Sequence, residues 1–284
     1  MLNDLLDALF GGNKTAKRPK IGGGLAGASL RDYLPYRSFD QRNKLYINTS
    51  SSGFIVEVSS LFGGSQQVAE ILTQFFSDQS LEHFSVQIIN WQSGEVRPII
   101  EDWARVRYFK GGVFKHLGQY RADYLTSGID ESLSAEAPWY LRNHRIIIAV
   151  SKPCKNYLAS AGNLVSLRQS LISILASCGI FAQDFMPDDL LAFCHDIFQP
   201  DILARPKPKK YSDLNSLNHQ LVPQNLLTSL RKDRIVFSEP RGANKSLHQV
   251  AQFFTVRQFP EKWVNGQMQL VVGDPFNDRL RFSG

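Results

Sequence analysis

Cysteine and metal-ligand patterns are sparse in this chain. Its 284 residues contain only three cysteines, Cys154, Cys178 and Cys194, which lie far apart in apolar or helical segments. Such spacing excludes a disulfide-framework class and indicates free thiols in a reducing compartment. The six histidines are scattered, without a His-x-x-x-His or Cys-x-x-Cys pair. We therefore predict no metal site.

Long hydrophobic runs are also missing. No apolar run approaches the ~20 residues that cross a bilayer. The N-terminal sequence MLNDLLDALF carries two aspartates and is followed by glycines, which is unlike a secretory signal. With 43% hydrophobic and 20% charged residues, the composition is that of an ordinary globular protein. We expect a cytoplasmic protein whose membrane association, if any, is peripheral.

The sequence lacks the motifs of nucleotide and nucleophile chemistry. A phosphate-binding loop needs G-x-x-x-x-G-K-[ST], but GGNKT (11–15) and RGANKS (241–246) both have asparagine before the lysine. There is no G-x-S-x-G elbow. Cys194 and His195 are adjacent on a predicted helix, so their side chains point ~100° apart, and a core cysteine beside a surface histidine explains them. We predict no catalytic, cofactor-binding or metal-binding residue, and an unrecognised small enzyme is disfavoured.

The first 29 residues predict an amphipathic helix on a flexible tether. One helical stripe holds apolar side chains, and Asp4 and Asp7 lie opposite it. Residues 11–29 are rich in glycine and lysine and predict the tether. The helix is a candidate docking element, either for a partner protein or for the membrane surface. The alternative is that the helix packs on its own domain or is disordered. The stripe consists of Leu2, Leu5, Leu6, Leu9 and Phe10.

Residues 30–204 predict an α+β domain. The segments KLYIN and GFIVEV flank a turn and indicate a hairpin. A helix after Ser65, a strand over 83–91, a helical region from Arg97 to Thr126 and a strand over 145–150 follow. A helix over 160–178 stopped by Gly179, a short strand and a helix from Pro187 complete the domain. Two successive βαβ units predict a ferredoxin-like mixed sheet with helices on one face and a helical insertion.

The remainder predicts a linker (205–212) and a smaller β-rich subdomain (213–284). The predicted strands of this subdomain are DRIVFS (233–238) and HQVAQFFTVRQFP (248–260). The net charge of +6 is concentrated partly in KTAKRPK (14–20) and RPKPKK (205–210). Such runs are typical of solvated linkers, and contact with nucleic acid or anionic lipid is the alternative.

One aromatic and basic set has the composition of a single-stranded nucleic-acid site. Bases stack on aromatic side chains, and cations follow the backbone. At helical spacing, however, most of these aromatics are expected to be buried packing residues. Single-stranded DNA binding is therefore the alternative function. The set is Trp103, Arg105, Arg107, Tyr108, Tyr120, Arg121 and Tyr124.

Three ordered segments resemble the TraC family of conjugative-transfer ATPases of F-type type IV secretion systems. The first is Leu34-Pro35-Tyr36-Arg37, followed by Asn48 and Gly53-Phe54. The second contains Leu141, Arg142 and Arg145, with His144 where an aromatic residue is more usual. The third is Tyr211-Ser212-Asp213-Leu214-Asn215.

The resemblance implies the N-terminal, non-catalytic domain of a secretion motor. ATP and Mg would bind only in a C-terminal domain that this chain lacks, and we expect 284 residues to be a shortened form. In the family, this domain holds the motor against inner-membrane channel subunits and contributes to association with other copies of itself. The implied location is cytoplasmic, peripheral to a bacterial inner membrane.

Overall fold

The computed structural model describes residues 30–60, 65–77, 83–94, 96–133, 140–198, 210–223, 226–230, 234–241 and 245–251. These residues form both helices and strands, which confirms the predicted α+β class. The helices are α1 (Leu30–Tyr33), α2 (Gln66–Phe76), α3 (Arg97–Tyr108), α4 (Gly112–Asp130), α5 (Tyr157–Ser177), α6 (Pro187–Phe198) and α7 (Leu217–Leu221). The strands are β1 (Tyr36–Asp40), β2 (Leu45–Asn48), β3 (Ser51–Val58), β4 (Ser85–Ser93), β5 (Asn143–Pro153), β6 (Ala182–Asp184), β7 (Leu227–Leu230), β8 (Ile235–Arg241) and β9 (Lys245–Ala251).

Strands β1 to β6 form one sheet. Its order is β1-β2-β3-β5-β4, and β6 also pairs with β3. The pairs β1–β2, β2–β3 and β3–β6 are antiparallel. β2 pairs with the first half of β3 at Ser52 and Gly53, and β6 pairs with its second half at residues 56–58. Strand β3 is buried along most of its length, so it is the central strand of the sheet.

The turn between β1 and β2 is held by Asp40. Its carboxylate accepts hydrogen bonds from the backbone N–H groups of Arg42 (2.9 Å) and Asn43 (3.1 Å), and from the Asn43 amide (2.7 Å). The phenol of Tyr157, in α5, donates a further bond of 2.5 Å. Burial disfavours the charged carboxylate, but these hydrogen bonds outweigh it and lower the pKa of Asp40. Lys44 completes the turn in the left-handed region, at φ 60°.

Helices α2 and α5 pack on the same sheet residues. Seven side chains from the two helices and from β3, β4 and β5 line one small apolar space, which places the core of the first sheet there. These residues are Phe54, Phe75, Phe76, Val86, Val150, Leu167 and Leu171.

Capping residues mark the start of both helices and the end of α5. Ser65 caps α2 by accepting a bond of 3.3 Å from the backbone N–H of Val68. Asn156 caps α5 by accepting from the N–H of Leu158 (3.1 Å). Gly179 follows α5 with φ 74°, the left-handed conformation that glycine adopts at a helix end. The predicted α5 and its glycine stop are confirmed, although the helix starts three residues earlier than position 160.

The chain divides into two compact units, with boundaries inside β4 and β5. Unit 1 contains the described residues up to Ile88 and from Ile147 to Ala251, and unit 2 those from Ile89 to Ile146. The helical region predicted in unit 2 is present as two helices, α3 and α4. They are separated at Gly111 and Gly112, both of which have positive φ.

Strands β7, β8 and β9 form a second, antiparallel sheet. The predicted strand at DRIVFS is β8, whereas β7 was not predicted. The RGANKS segment joins β8 to β9, and Arg241 pairs with Lys245. A phosphate-binding loop instead joins a strand to a helix. The predicted 205–212 boundary stays a prediction, because residues 199–209 lie outside the described residues.

Candidate docking site

The Leu-Pro-Tyr-Arg corner turns the chain from α1 into β1. Leu34 is buried, and the carbonyl oxygen of Pro35 accepts hydrogen bonds from the N–H (2.9 Å) and hydroxyl (3.2 Å) of Thr49. The Tyr36 ring meets the Tyr46 ring edge-on, with centroids 5.9 Å apart. Burial raises the pKa of Tyr36. The corner is therefore fixed to the β1–β2 hairpin by both packing and hydrogen bonding.

The Tyr-Ser-Asp-Leu-Asn segment forms a turn that Gln220 clamps. The Gln220 side chain accepts a bond from the N–H of Ser212 (2.9 Å) and donates to the carbonyl oxygens of Ser212 (2.9 Å) and Asn215 (2.8 Å). The carboxylate of Asp188, in the first turn of α6, accepts from the N–H of Tyr211 (2.6 Å). The turn is thus held from two helices.

These two segments, far apart in sequence, meet at α7. The side-chain amide of Asn218 donates a bond of 2.8 Å to the carbonyl oxygen of Arg31. The Ser216 hydroxyl lies 3.3 Å from the carbonyl oxygen of Arg37 and 2.6 Å from the Asn218 Oδ1. We call this contact between α1, β1 and α7 the motif joint. It connects the first and third family segments.

Leu214 stands out at the motif joint because its side chain points into solvent. It is 94% exposed, although the turn that carries it is hydrogen-bonded on both sides. A large apolar side chain held on a rigid turn presents a fixed contact point for another molecule.

The Tyr211 phenol and the Cys194 thiol, both near the joint, are held in their neutral forms. Burial raises the pKa of Tyr211, and its hydrogen bond to Asp213 adds to the effect. Burial also raises the pKa of the Cys194 thiol to about 12. Within the described ranges, no group of three or more His, Cys, Asp or Glu residues is placed to hold a metal ion. The carbonyl, amide and hydroxyl groups of the joint bond to one another, and the neighbouring turn exposes the apolar Leu214.

The Gly53-Phe54 motif has a packing role. A Cβ on Gly53 would lie 2.1 Å from the carbonyl oxygen of Val150 and 2.8 Å from the Cα of Ser151. Only glycine allows β3 and β5 to approach this closely. Phe54 is 1% exposed in the core. Asn48 donates a side-chain bond to Ser51 (3.1 Å) across the β2–β3 turn.

The second family segment lies in unit 2. The N–H of Leu141 donates to the carbonyl oxygen of Gly128 (2.6 Å), and its side chain packs on the α3–α4 core. The Arg142 guanidinium donates to the carbonyl oxygen of Ile129 (2.9 Å) and lies 5.3 Å from the Tyr140 ring centroid. These contacts fasten the chain before β5 to the end of α4. Burial and the Arg142 charge lower the pKa of His144, and Arg145 follows in β5.

The structure therefore brings two of the three predicted segments together. The predicted docking stripe, Leu2, Leu5, Leu6, Leu9 and Phe10, lies outside the described residues.

The expectation that the helical aromatics are buried is wrong for two of them. Tyr120 is 78% exposed and Tyr124 is 51% exposed, because α4 packs on α3 through its other face. Trp103 and Tyr108 do pack against the α3–α4 core. Sequence reasoning did not predict that neighbouring apolar residues are exposed. One of them, Phe109, is 86% exposed. The repeated spacing of apolar residues along α4 was the available signal.

These features define an α+β fold in which two of the three motif segments, distant in sequence, meet at one joint. A family model described as "TraC protein" matches residues 30–284. The protein TraC of Escherichia coli (strain K12) is 22% identical over 265 residues, which cover 90% of this chain. The chain spans only 30% of that relative's length. No solved structure matches the chain.

The chain belongs to the TraC family. This membership confirms the family indicated by the three motif segments and associates the chain with conjugation and type IV secretion. No helix among the described residues is both long and apolar enough to cross a membrane.

Proposed function

We propose that this chain is the N-terminal, non-catalytic part of a TraC-family secretion motor. Its role is to dock the motor to inner-membrane subunits of the channel and to aid association between motor subunits. The 30% coverage of the E. coli relative supports a parent with further domains, in which ATP and Mg would bind. The proposed location is the cytoplasmic side of the inner membrane.

The observation that carries the docking role is the exposure of Leu214. Four of its neighbours in the motif, Tyr211, Ser212, Asp213 and Asn215, contribute hydrogen bonds or backbone contacts that shape the turn. Leu214 itself is left 94% exposed. A rigid turn loses little conformational entropy on binding, so an apolar residue on it is an effective anchor.

Membrane recruitment tests the docking role. Tagged chain is expressed in cells with and without the other subunits of the secretion system, and the membrane-bound fraction is measured. We expect Leu214→Ser to lower the fraction that depends on those subunits. Leu158→Ser is the matched control, because Leu158 is 82% exposed on α5. Equal recruitment of both variants and the unmodified chain would remove Leu214 from the proposal.

The predicted N-terminal stripe is a second docking element under this proposal. Deletion of residues 1–29 removes none of the described residues and is expected to reduce partner capture further. Unchanged capture of channel subunits after the deletion would exclude the stripe as a docking element.

For the sheet, we propose the ferredoxin-like arrangement. The order β6-β3-β5-β4 supports it, because in this arrangement the two βαβ units interleave and the last strand lies beside the first. A high-resolution experimental structure in which β3 and β5 are parallel would contradict it, because neighbouring strands of a ferredoxin-like sheet are antiparallel.

Single-stranded DNA binding stays the alternative function. Its basic clusters at 14–20 and 205–210 lie, except for Lys210, outside the described residues. Binding of an oligothymidine that weakens steeply with salt would support it, because each phosphate contact releases counterions.

A further inference from the structure

The α3–α4 hairpin has an unusual segregation of charge. Residues 103–122 contain five lysines and arginines and no aspartate or glutamate. The five are Arg105, Arg107, Lys110, Lys115 and Arg121. The nearest carboxylates are Asp102, which pairs with Arg105, and Asp123, which accepts a bond from Gln119 (2.8 Å).

The same hairpin exposes a continuous series of apolar side chains. Along α4 they recur at intervals of four, three and four residues, which places them on one face of the helix. The opposite stripe, including Gly118, Ala122 and Ile129, is buried. The exposed residues are Val113 (71%), Leu117 (62%), Tyr120 (78%) and Tyr124 (51%).

The connection between the helices extends this apolar surface. Phe109 is 86% exposed and Phe114 is 62% exposed, on either side of the Gly111-Gly112 break. The Lys110 ammonium lies 5.8 Å from the Phe114 ring centroid. Apolar tips and cations are therefore interleaved at one end of the hairpin.

A cation also borders the α4 stripe. At 100° per residue, Arg121 lies along one edge of the stripe. Long basic side chains at such positions bury their methylenes and keep their charges in the headgroup region. Asp123 lies beside the C-terminal part of the stripe, so the cationic character is strongest toward the Gly111-Gly112 connection.

We propose that this hairpin lies on an anionic lipid surface. Interfacial helices combine Lys and Arg with apolar side chains that enter the headgroup boundary. The aliphatic Val106, Val113 and Leu117 favour lipid over nucleic acid, because bases stack on aromatic and guanidinium planes and gain little from aliphatic groups. The absence of carboxylates from residues 103–122 complements a negative surface.

The inference deepens the proposed function, since it gives the docked motor a direct lipid contact. Lipid binding is measured without any partner protein. Loss of lipid binding therefore leaves the Leu214-dependent recruitment by subunits untouched, and failure of that recruitment leaves the lipid contact untouched.

Vesicle flotation of the complete 284-residue chain tests the inference. We expect binding to phosphatidylcholine vesicles that contain phosphatidylglycerol and little binding to phosphatidylcholine alone. The double variant Phe109→Ser/Phe114→Ser is expected to lose binding. The matched control Leu158→Ser/Phe181→Ser changes two residues that are 82% and 71% exposed in unit 1, and should bind as the unmodified chain does. Circular dichroism checks that each variant is folded.

A charge variant gives an independent readout. Lys110→Gln/Lys115→Gln leaves the apolar residues in place and is expected to weaken vesicle binding roughly fivefold for each lysine. Lys155→Gln, at an exposed position in unit 1, is its control.

Three outcomes would overturn the inference. The first is no preference for the anionic vesicles. The second is binding that survives both hairpin variants and disappears on deletion of residues 1–29. The third is that the chain binds an oligothymidine but not vesicles, and that the same variants lose the oligothymidine binding. That result would assign the hairpin to nucleic acid.

Discussion

The side-chain amide of Asn218 donates a hydrogen bond of 2.8 Å to the carbonyl oxygen of Arg31, 187 residues earlier in the chain. Asn218 is only 2% exposed. This bond joins α7 to α1 and stabilises the contact between two family segments. The motif joint is therefore a tertiary contact built from residues distant in sequence.

Replacement of Asn218 by alanine tests that contact. We expect Asn218→Ala to lower the free energy of unfolding by about 1–3 kcal/mol, because the buried Asn218 side chain is removed and the Arg31 carbonyl oxygen keeps only the longer bond from the Leu34 N–H (3.3 Å). Asn215→Ala is the control, because the Asn215 side chain is exposed and the residue contributes to the turn through its backbone N–H and carbonyl oxygen. Urea denaturation measures both. Equal effects of the two substitutions would argue against the Asn218 bond.

Gly53 should tolerate no side chain. Gly53→Ala places a Cβ 2.1 Å from the carbonyl oxygen of Val150, so we expect β3 and β5 to separate and the free energy of unfolding to fall by about 3 kcal/mol or more. Gly162→Ala, in α5 where no atom lies within 4 Å, should instead stabilise the chain by about 0.5–1 kcal/mol. A neutral Gly53→Ala would show that the strands are not in this close contact.

The Asp40–Tyr157 bond should make stability depend on pH at both extremes. The folded-state pKa of Asp40 is lowered, so its contribution is present above the unfolded value near ~3.9 and is lost as pH falls through the folded pKa. Burial, with the hydrogen bond to Asp40, raises the pKa of Tyr157 to about 12. The tyrosine contribution is therefore complete below its unfolded pKa near ~10 and is lost as pH rises through about 12.

Tyr157→Phe isolates this bond. We expect a loss of about 1–2 kcal/mol at neutral pH, since the acceptor is charged and only partly buried. The loss should shrink as acid protonates Asp40. Tyr120→Phe, on a 78% exposed side chain, should change stability little at any pH. A Tyr157→Phe effect that is constant from neutral pH to strongly acidic pH would contradict the assignment.

Lys44 occupies a conformation that favours glycine. At φ 60°, a side chain costs about 1 kcal/mol relative to glycine, so Lys44→Gly should raise the free energy of unfolding by up to that amount. Arg42→Gly, in the same turn, should not stabilise the chain, because only Lys44 among the non-glycine residues that the structure describes has positive φ. Thermal denaturation distinguishes the two variants.

Local signals in the sequence predicted the local structure well. Ser65, Gly179 and Pro187 mark helix ends through their own backbone preferences, and each lies at such an end in the structure. The tertiary contacts could not be predicted in this way. Nothing near Asn218 in sequence indicates that its partner is Arg31, and nothing near Gly53 indicates that Val150 approaches it.

Exposure was the least predictable property. The helical spacing of Tyr120 and Tyr124 is compatible with either face of α4 being buried. Packing chose the face that carries Gly118 and Ala122, because small residues allow the two helices to approach closely. The exposed set therefore became visible only once the partner helix was placed.

The central claim is that this chain occupies the docking position of a secretion motor. Its most direct test is the conjugation frequency of donor cells that carry the intact transfer system and also express this chain in excess. We predict that the excess chain competes for the docking position and lowers transfer, and that Leu214→Ser restores it while Leu158→Ser does not. Transfer that is unaffected by the unmodified chain at high expression would contradict the claim.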